Sequence, residues 1–159
     1  VEGKDGISYV DSKGVEQQLR PVVDEVIEIG TGSSSSYVGN TTGYGADFIG
    51  CSGTVSCKTR AGNLHHLVND GMYYNDSQYG KVRILAADHT KFPCGTVVKV
   101  NNGVLNEFYG IVLDTGYAMR NALTQGIIWM DLAFSSQAEA LTGGATSSNT
   151  SFSVQRWGW

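Results

Sequence analysis

Three aspartates each follow an apolar run: Asp88 after "ILAA", Asp114 after "GIVL" and Asp131 after "IIWM". Such runs read as buried strands, and a side chain at a strand end is held rigidly, as an acid catalyst requires. Carboxylates that converge on one cleft repel each other, and burial penalises the charged form. Both effects raise the pKa of one of them. A carboxyl raised in this way can protonate a leaving-group oxygen near neutral pH. The competing role is structural, because an aspartate often ends a strand by accepting backbone N–H bonds in an Asx-turn. For a single aspartate the turn is the commoner role, and "DTG" at Asp114 is an ordinary turn sequence. Three in one small domain shift the balance toward chemistry. His89 stands directly after Asp88, and Cys94 lies in the nearby Pro-Cys-Gly-Thr stretch. His89 is read either as a substrate contact or as a surface residue.

The elements that must position these groups are mostly strands. "VRILAAD", "GTVVKV", "EFYGIVLD", "GIIWMDLAF" and the closing "SFSVQRWGW" read as strands, with "GYGADFIG" as the first. A turn is expected around Asn102-Gly103. "SSQAEALTGG" is the one expected helix: Ser136 and Glu139 form a capping box, and Gly143 stops it. The stretch from Lys58 to Gln78 is polar and reads as a long surface loop. Residues 1–32 read as a separate β-rich segment in which Ile27 and Ile29 alternate with Glu28. The Gly/Ser/Thr-rich residues 33–42 read as a linker, and 43–159 as the main domain. The expected fold is mainly β: a small β-barrel with one short helix and a short N-terminal β extension.

Composition narrows the function. A chain of 159 residues can bury a real core without metals or disulfides. The net charge is −4 and no Lys/Arg cluster occurs, so the basic stripe that nucleic acid requires is missing. No apolar run is long enough to span a membrane. The opening "VEGKDG" carries no export signal, so a mature or trimmed form is expected. A polar, weakly acidic surface with Tyr and Trp suits carbohydrate. Tyr44, Tyr73, Tyr74, Tyr79 and Tyr117 are candidates to stack on sugar faces, whereas Trp129 reads as core, and Trp157 and Trp159 as packing for the barrel end. Asp47 either faces the groove or ends a strand pairing. His65 and His66 read as surface residues. The cysteines are Cys51, Cys57 and Cys94. Without C-x-x-C spacing no metal site is expected, and no cofactor. One disulfide plus one thiol, or three thiols, remain open, with the disulfide fitting an exported protein.

Four segments in this order resemble a known family. "GCSGTVSCKTRAG" (Gly50 to Gly62), "ILAADHTKFPCGTVV", "GIVLDTGYAM" and "IIWMDLAF" are similar to the motifs of the three-aspartate (3D) domain. That family is a six-stranded double-psi β-barrel, related to membrane-bound lytic transglycosylase A and to Gram-positive stationary-phase survival proteins. The resemblance covers roughly residues 43–159. "PVVDEVIEIGT" resembles the closing strand of the glycine-named β-module that often precedes it. The resemblance implies an extracellular, wall-associated lytic transglycosylase, expected as a monomer, that cleaves peptidoglycan glycan strands and leaves 1,6-anhydro-muramoyl ends; a non-catalytic, expansin-like glycan-binding module and a hydrolase of another β-glycan are the alternatives. The resemblance makes Asp131 the catalytic acid, with Asp114 and Asp88 in support. It also points to His89, Lys58 and Thr59 as groove residues. The chain departs from the pattern in three places. Seventeen positions separate Asp114 from Asp131, about five more than usual, so "RNALTQG" must loop out. Tyr117 replaces a glycine. Cys94 replaces an apolar residue.

Overall fold

The computed structural model describes residues 35–50 and 52–159, and before them the backbone of two short strands. These strands, β1 (Ile7–Ser8) and β2 (Gln18–Leu19), pair antiparallel within a unit spanning Val1–Ser35. The expected closing strand in "PVVDEVIEIGT" and the thiol of Cys51 lie outside the described residues.

The second unit, Ser36–Trp159, holds the remaining described strands. They are β3 (Ser36–Gly45), β4 (Thr54–Lys58), β5 (Leu64–His66), β6 (Tyr73–Asp76), β7 (Gly80–Ala86), β8 (Val97–Asn101), β9 (Phe108–Asp114), β10 (Ile128–Phe134) and β11 (Ser147–Arg156). The helices are α1 (Leu67–Asp70), α2 (Tyr117–Thr124) and α3 (Gln137–Thr142). Six strands close a barrel in the order β10-β3-β11-β8-β9-β7, because β7 pairs back onto β10. The pairs β3/β10 and β7/β9 are parallel, and the other barrel pairs are antiparallel. β6 adds a seventh strand on β7, and β4 and β5 form a separate hairpin.

Strand alternation sorts the core into two layers. Leu85, Val98, Val112, Leu132 and Phe152 belong to one buried cluster, drawn from five barrel strands. Their neighbours Ile84, Val97, Ile111, Leu113 and Ala133 belong to a second, with Val55 of β4 and Leu67 of α1. Both faces of β7, β9 and β10 are therefore covered, so these strands read as continuous apolar runs.

The structure revises three expectations. Residues 36–42 are not linker: they form most of β3. Small residues are needed there, because a Cβ on Gly39 would lie 2.1 Å from the Ile128 carbonyl oxygen. Thr41 is fully buried, and its hydroxyl bonds that of Thr150 at 2.9 Å. The close approach of β10 and β11 thus demands the very composition that resembles a linker. "GYGADFIG" is strand only as far as Gly45. Second, the described residues hold three helices, because "RNALTQG" supplies much of α2 and Leu67 anchors α1. Third, the stretch Lys58 to Gln78 is structured. Its His65 is buried, with Nε2 2.6 Å from the Gly71 carbonyl oxygen. The third helix stands as read, since the Ser136 hydroxyl accepts the Glu139 N–H at 3.2 Å.

The chain end is tied to the barrel by charge and aromatic packing. Arg156 grips Asp76 through both carboxylate oxygens at 2.8 and 2.9 Å. This contact holds the Asp76 carboxyl down at about 2, against the opposing effect of burial. Trp157 stacks on Phe92 at 5.9 Å. Gly95, at φ +90°, admits the Trp159 indole, which would lie 2.6 Å from a Cβ.

Candidate active site

Register brings two of the three aspartates together. Ala86 at the end of β7 pairs with Asp114 on β9 and with Asp131 on β10. The two carboxylates therefore flank one central strand at one level, with Cα atoms about 10 Å apart by ordinary strand spacing. Both line a cleft of about 560 Å³. It is also lined by Gly43, Tyr44, Ala86, Ser52, Thr54, Gln137 and the start of α2. Phe48, Ile49 and Tyr117 line it while 53%, 93% and 75% exposed, which gives the cleft an apolar and aromatic rim.

Asp131 sits among apolar neighbours on β10, between buried Met130 and Leu132. Burial is the largest influence on its carboxyl and pushes the pKa up; the Asp114 charge adds to this, and a hydrogen bond from Thr42 opposes it. The Thr42 hydroxyl donates to Asp131 Oδ1 and itself accepts the Trp129 indole N–H at 2.7 Å. Thr42 is directly opposite Asp131 in the β3/β10 register, so the chain Trp129–Thr42–Asp131 follows from strand pairing. Trp129, expected as core, is half-buried and serves this chain.

Asp114 is differently held. Its Oδ2 accepts the Tyr44 hydroxyl at 2.8 Å, and its Oδ1 accepts the backbone N–H groups of Ser56 at 3.1 Å and Thr115 at 3.0 Å. Tyr44 is two residues beyond Thr42 on β3, so alternation places both on one face. β3 thus presents one hydroxyl to each carboxylate.

The remaining sequence candidates divide clearly. Tyr44 and Tyr117 line the cleft with Asp114 and Asp131. Asp88, His89, Lys58, Thr59 and Asp47 do not line it. Asp88 takes the Asx-turn role: its Oδ1 accepts the Thr90 N–H at 2.8 Å and the Thr90 hydroxyl. That hydroxyl is the main reason its carboxyl lies below the ordinary value, with the turn N–H groups adding to it and burial opposing. Asp47 accepts the Gln137 N–H at 2.6 Å and so caps the start of α3. Thr59 accepts the Asn63 N–H at 3.3 Å in the β4/β5 turn, and Lys58 is exposed at the end of β4. Thr42, Phe48, Ile49 and Gln137 are cleft or network residues that sequence reasoning missed. The first was hidden in the apparent linker, and the others lie in segments read as a strand and a helix, with nothing to show that they face a cleft.

Cys57 and Cys94 form a disulfide, with Cα atoms 5.8 Å apart and a sequence separation of 37. This resolves the open pairing. His89 lies against the bridge and faces the Asp114 carbonyl at 2.9 Å from Nε2. Among the described residues, no helix is long and apolar enough to cross a membrane. Comparisons with family models, curated proteins and solved structures gave no match to this chain.

Proposed function

We propose that the barrel is a peptidoglycan lytic transglycosylase, with Asp131 as its single acid and base. The observation that carries this reading is the pairing of a carboxyl raised by burial with a second, fully engaged carboxylate in one cleft. The motif resemblance to the three-aspartate domain, which includes these same aspartates, points the same way. Asp131 accepts one hydrogen bond among the described residues, whereas Asp114 accepts three. Ordinary glycoside hydrolysis uses two working carboxylates, one of which activates water or forms a covalent bond. Asp114 is poorly suited to either task while its oxygens hold Tyr44, Ser56 and Thr115. A transglycosylase needs one working group, because its nucleophile belongs to the substrate.

In this mechanism protonated Asp131 gives its proton to the oxygen joining N-acetylmuramic acid to N-acetylglucosamine. The bond from that oxygen to muramoyl C1 breaks, and the glucosamine leaves with a free C4 hydroxyl. Asp131, now a carboxylate, takes the proton from the muramoyl C6 hydroxyl as O6 bonds to C1. A 1,6-anhydro ring closes, and Asp131 regains its proton. Asp114 raises the Asp131 pKa by its charge, while the Thr42 hydrogen bond orients the carboxyl. Phe48, Ile49 and Tyr117 offer apolar faces to the sugars. The setting for this role is the bacterial cell wall.

Digestion of purified Gram-positive peptidoglycan, with mass analysis of the products, tests the proposal. Anhydro-muramoyl ends are expected from the native chain and none from Asp131→Asn, with circular dichroism unchanged. Reducing ends would instead indicate a hydrolase. Wall binding with no product would indicate a non-catalytic module. Either result rejects the proposal.

A further inference from the structure

We infer that Cys57, Cys94 and His89 form a zinc site when the disulfide between the two cysteines is reduced. The inference is independent of the function proposed above. One ligand atom from each residue lies within 4.8 Å of the others. His89 Nδ1 is 3.9 Å from Cys94 Sγ, whereas Cys57 Sγ lies nearer the other ring nitrogen, 3.4 Å from Nε2, and must turn toward Nδ1 once the bridge opens. Two sulfurs and one imidazole are a ligand set that zinc prefers.

The protonation of His89 fits this use. Its Nε2 lies 2.9 Å from the Asp114 backbone oxygen, which can only accept. Nε2 therefore carries the hydrogen, and Nδ1 keeps its lone pair for a ligand. Zinc-bound histidines usually donate their second ring N–H to a carbonyl or carboxylate in this way. Tetrahedral zinc, with its ordinary bond lengths, needs about 3.8 Å between two sulfurs and about 3.6 Å between sulfur and nitrogen. The 3.9 Å from Nδ1 to Cys94 is close to the second value. The first is reached once the bridge opens, by side-chain rotation about Cα atoms 5.8 Å apart.

The chemistry balances. A trialkylphosphine with one water, leaving as its oxide, or a dithiol, leaving as its own disulfide, supplies two electrons and two protons to the bridge, which becomes two thiols. Zinc then displaces the two thiol protons and binds both thiolates and Nδ1, with water in the fourth position. Cys57 is only 2% exposed, so burial holds it as a neutral thiol unless a metal ion neutralises the thiolate as it forms. Both forms join β4 to the turn after β7. That turn carries His89, and the Ser56 N–H of β4 holds the Asp114 carboxylate.

The test uses the full chain carrying Cys51→Ser, so that the third cysteine does not contribute. The phosphine-reduced chain, free of oxygen, is titrated with Zn²⁺ against a chromophoric chelator, and with Co²⁺ for its spectrum. One zinc ion per chain is expected, with thiolate-to-cobalt charge transfer. The oxidised chain and the Cys57→Ser/Cys94→Ser variant should take none. His89→Ala should bind at least ~10-fold more weakly. Circular dichroism tracks the fold: if reduction loosens it, zinc should restore the strand signal. No zinc uptake by the reduced chain, equal uptake by the double serine variant, or a loosened chain that zinc fails to restore would overturn the inference.

Discussion

Asp88 and Asp131 look alike in sequence, each closing an apolar strand run, yet their surroundings push them in opposite directions. Asp88 turns back into its own loop, where the Thr90 N–H and hydroxyl stabilise its charge. Asp131 stays on its strand, faces a cleft, and has its charge disfavoured first by burial and then by Asp114. The difference lies in the path of the chain just beyond each aspartate. After Asp88 the chain bends at once, and the Lys91 and Phe92 N–H groups reach its carbonyl oxygen. After Asp131 the strand continues through buried Leu132, Ala133 and Phe134, so the side chain has no turn of its own to satisfy. The proposed acid is thus the aspartate whose neighbouring N–H groups are spent on the ladder, not the one that ends its strand in a turn.

Neutralising each aspartate in turn should separate the two most widely. Asp131→Asn should lower glycan cleavage on the order of 10²–10⁴-fold, the ordinary contribution of a general acid. Asp88→Asn should lower it less than about 10-fold, since an amide can still accept the turn bonds. Equal losses in product-release assays would remove the distinction. The two should also differ in stability. The folded chain binds the Asp131 proton more tightly than the unfolded chain does. That contribution is full below the unfolded pKa and is lost as pH rises through the folded one. Asp131→Asn should therefore be relatively more stable at pH 7 than at pH 3, measured by urea unfolding.

Asp76 adds a third case, a fully paired carboxylate. Arg156→Ala leaves it buried without its partner and should cost about 3–5 kcal/mol in denaturant unfolding. Its depressed pKa gives the opposite pH sign from Asp131. The stabilisation is present above the ordinary aspartate value and lost as pH falls toward about 2. The native chain should weaken over that acid range, and the Arg156→Ala chain much less.

The Asp88 side of the molecule is braced covalently. Opening the bridge with Cys57→Ser/Cys94→Ser, in the absence of metal, should lower stability by about 2–4 kcal/mol. Cleavage should suffer less than in Asp131→Asn, because Thr42 and β10 are not touched. The smallest expected effect is a shift in pH profile. Thr42→Val keeps the strand but removes the hydrogen bond that lowers the Asp131 pKa. The alkaline limb of cleavage should move to higher pH. A downward move would mean that Thr42 raises the pKa instead.

The apolar runs made β7, β9 and β10 legible, because strands covered on both faces need no polar alternation. The capping box at Ser136 was legible because its chemistry is local. β3 was not, since its Gly39, Thr41 and Gly43 reflect how closely other strands approach, a fact that belongs to the closed barrel. The site was half legible. Residue type marked Asp131 and Asp114, but their meeting depends on Ala86 pairing with both, and register is invisible before the sheet is assembled. Asp88 carried the same signal and went to the turn. The Cys57–Cys94–His89 cluster had no sequence spacing to reveal it, because strand β4 and the turn after β7 meet only in the folded chain.

The most direct measurement is a carboxyl titration of Asp131 by carbon NMR in the native chain, with Asp131→Asn used to assign the signal. A midpoint clearly above the ordinary aspartate value of about 3.9 is expected. A midpoint at or below that value would contradict Asp131 as the proton donor of this cleft.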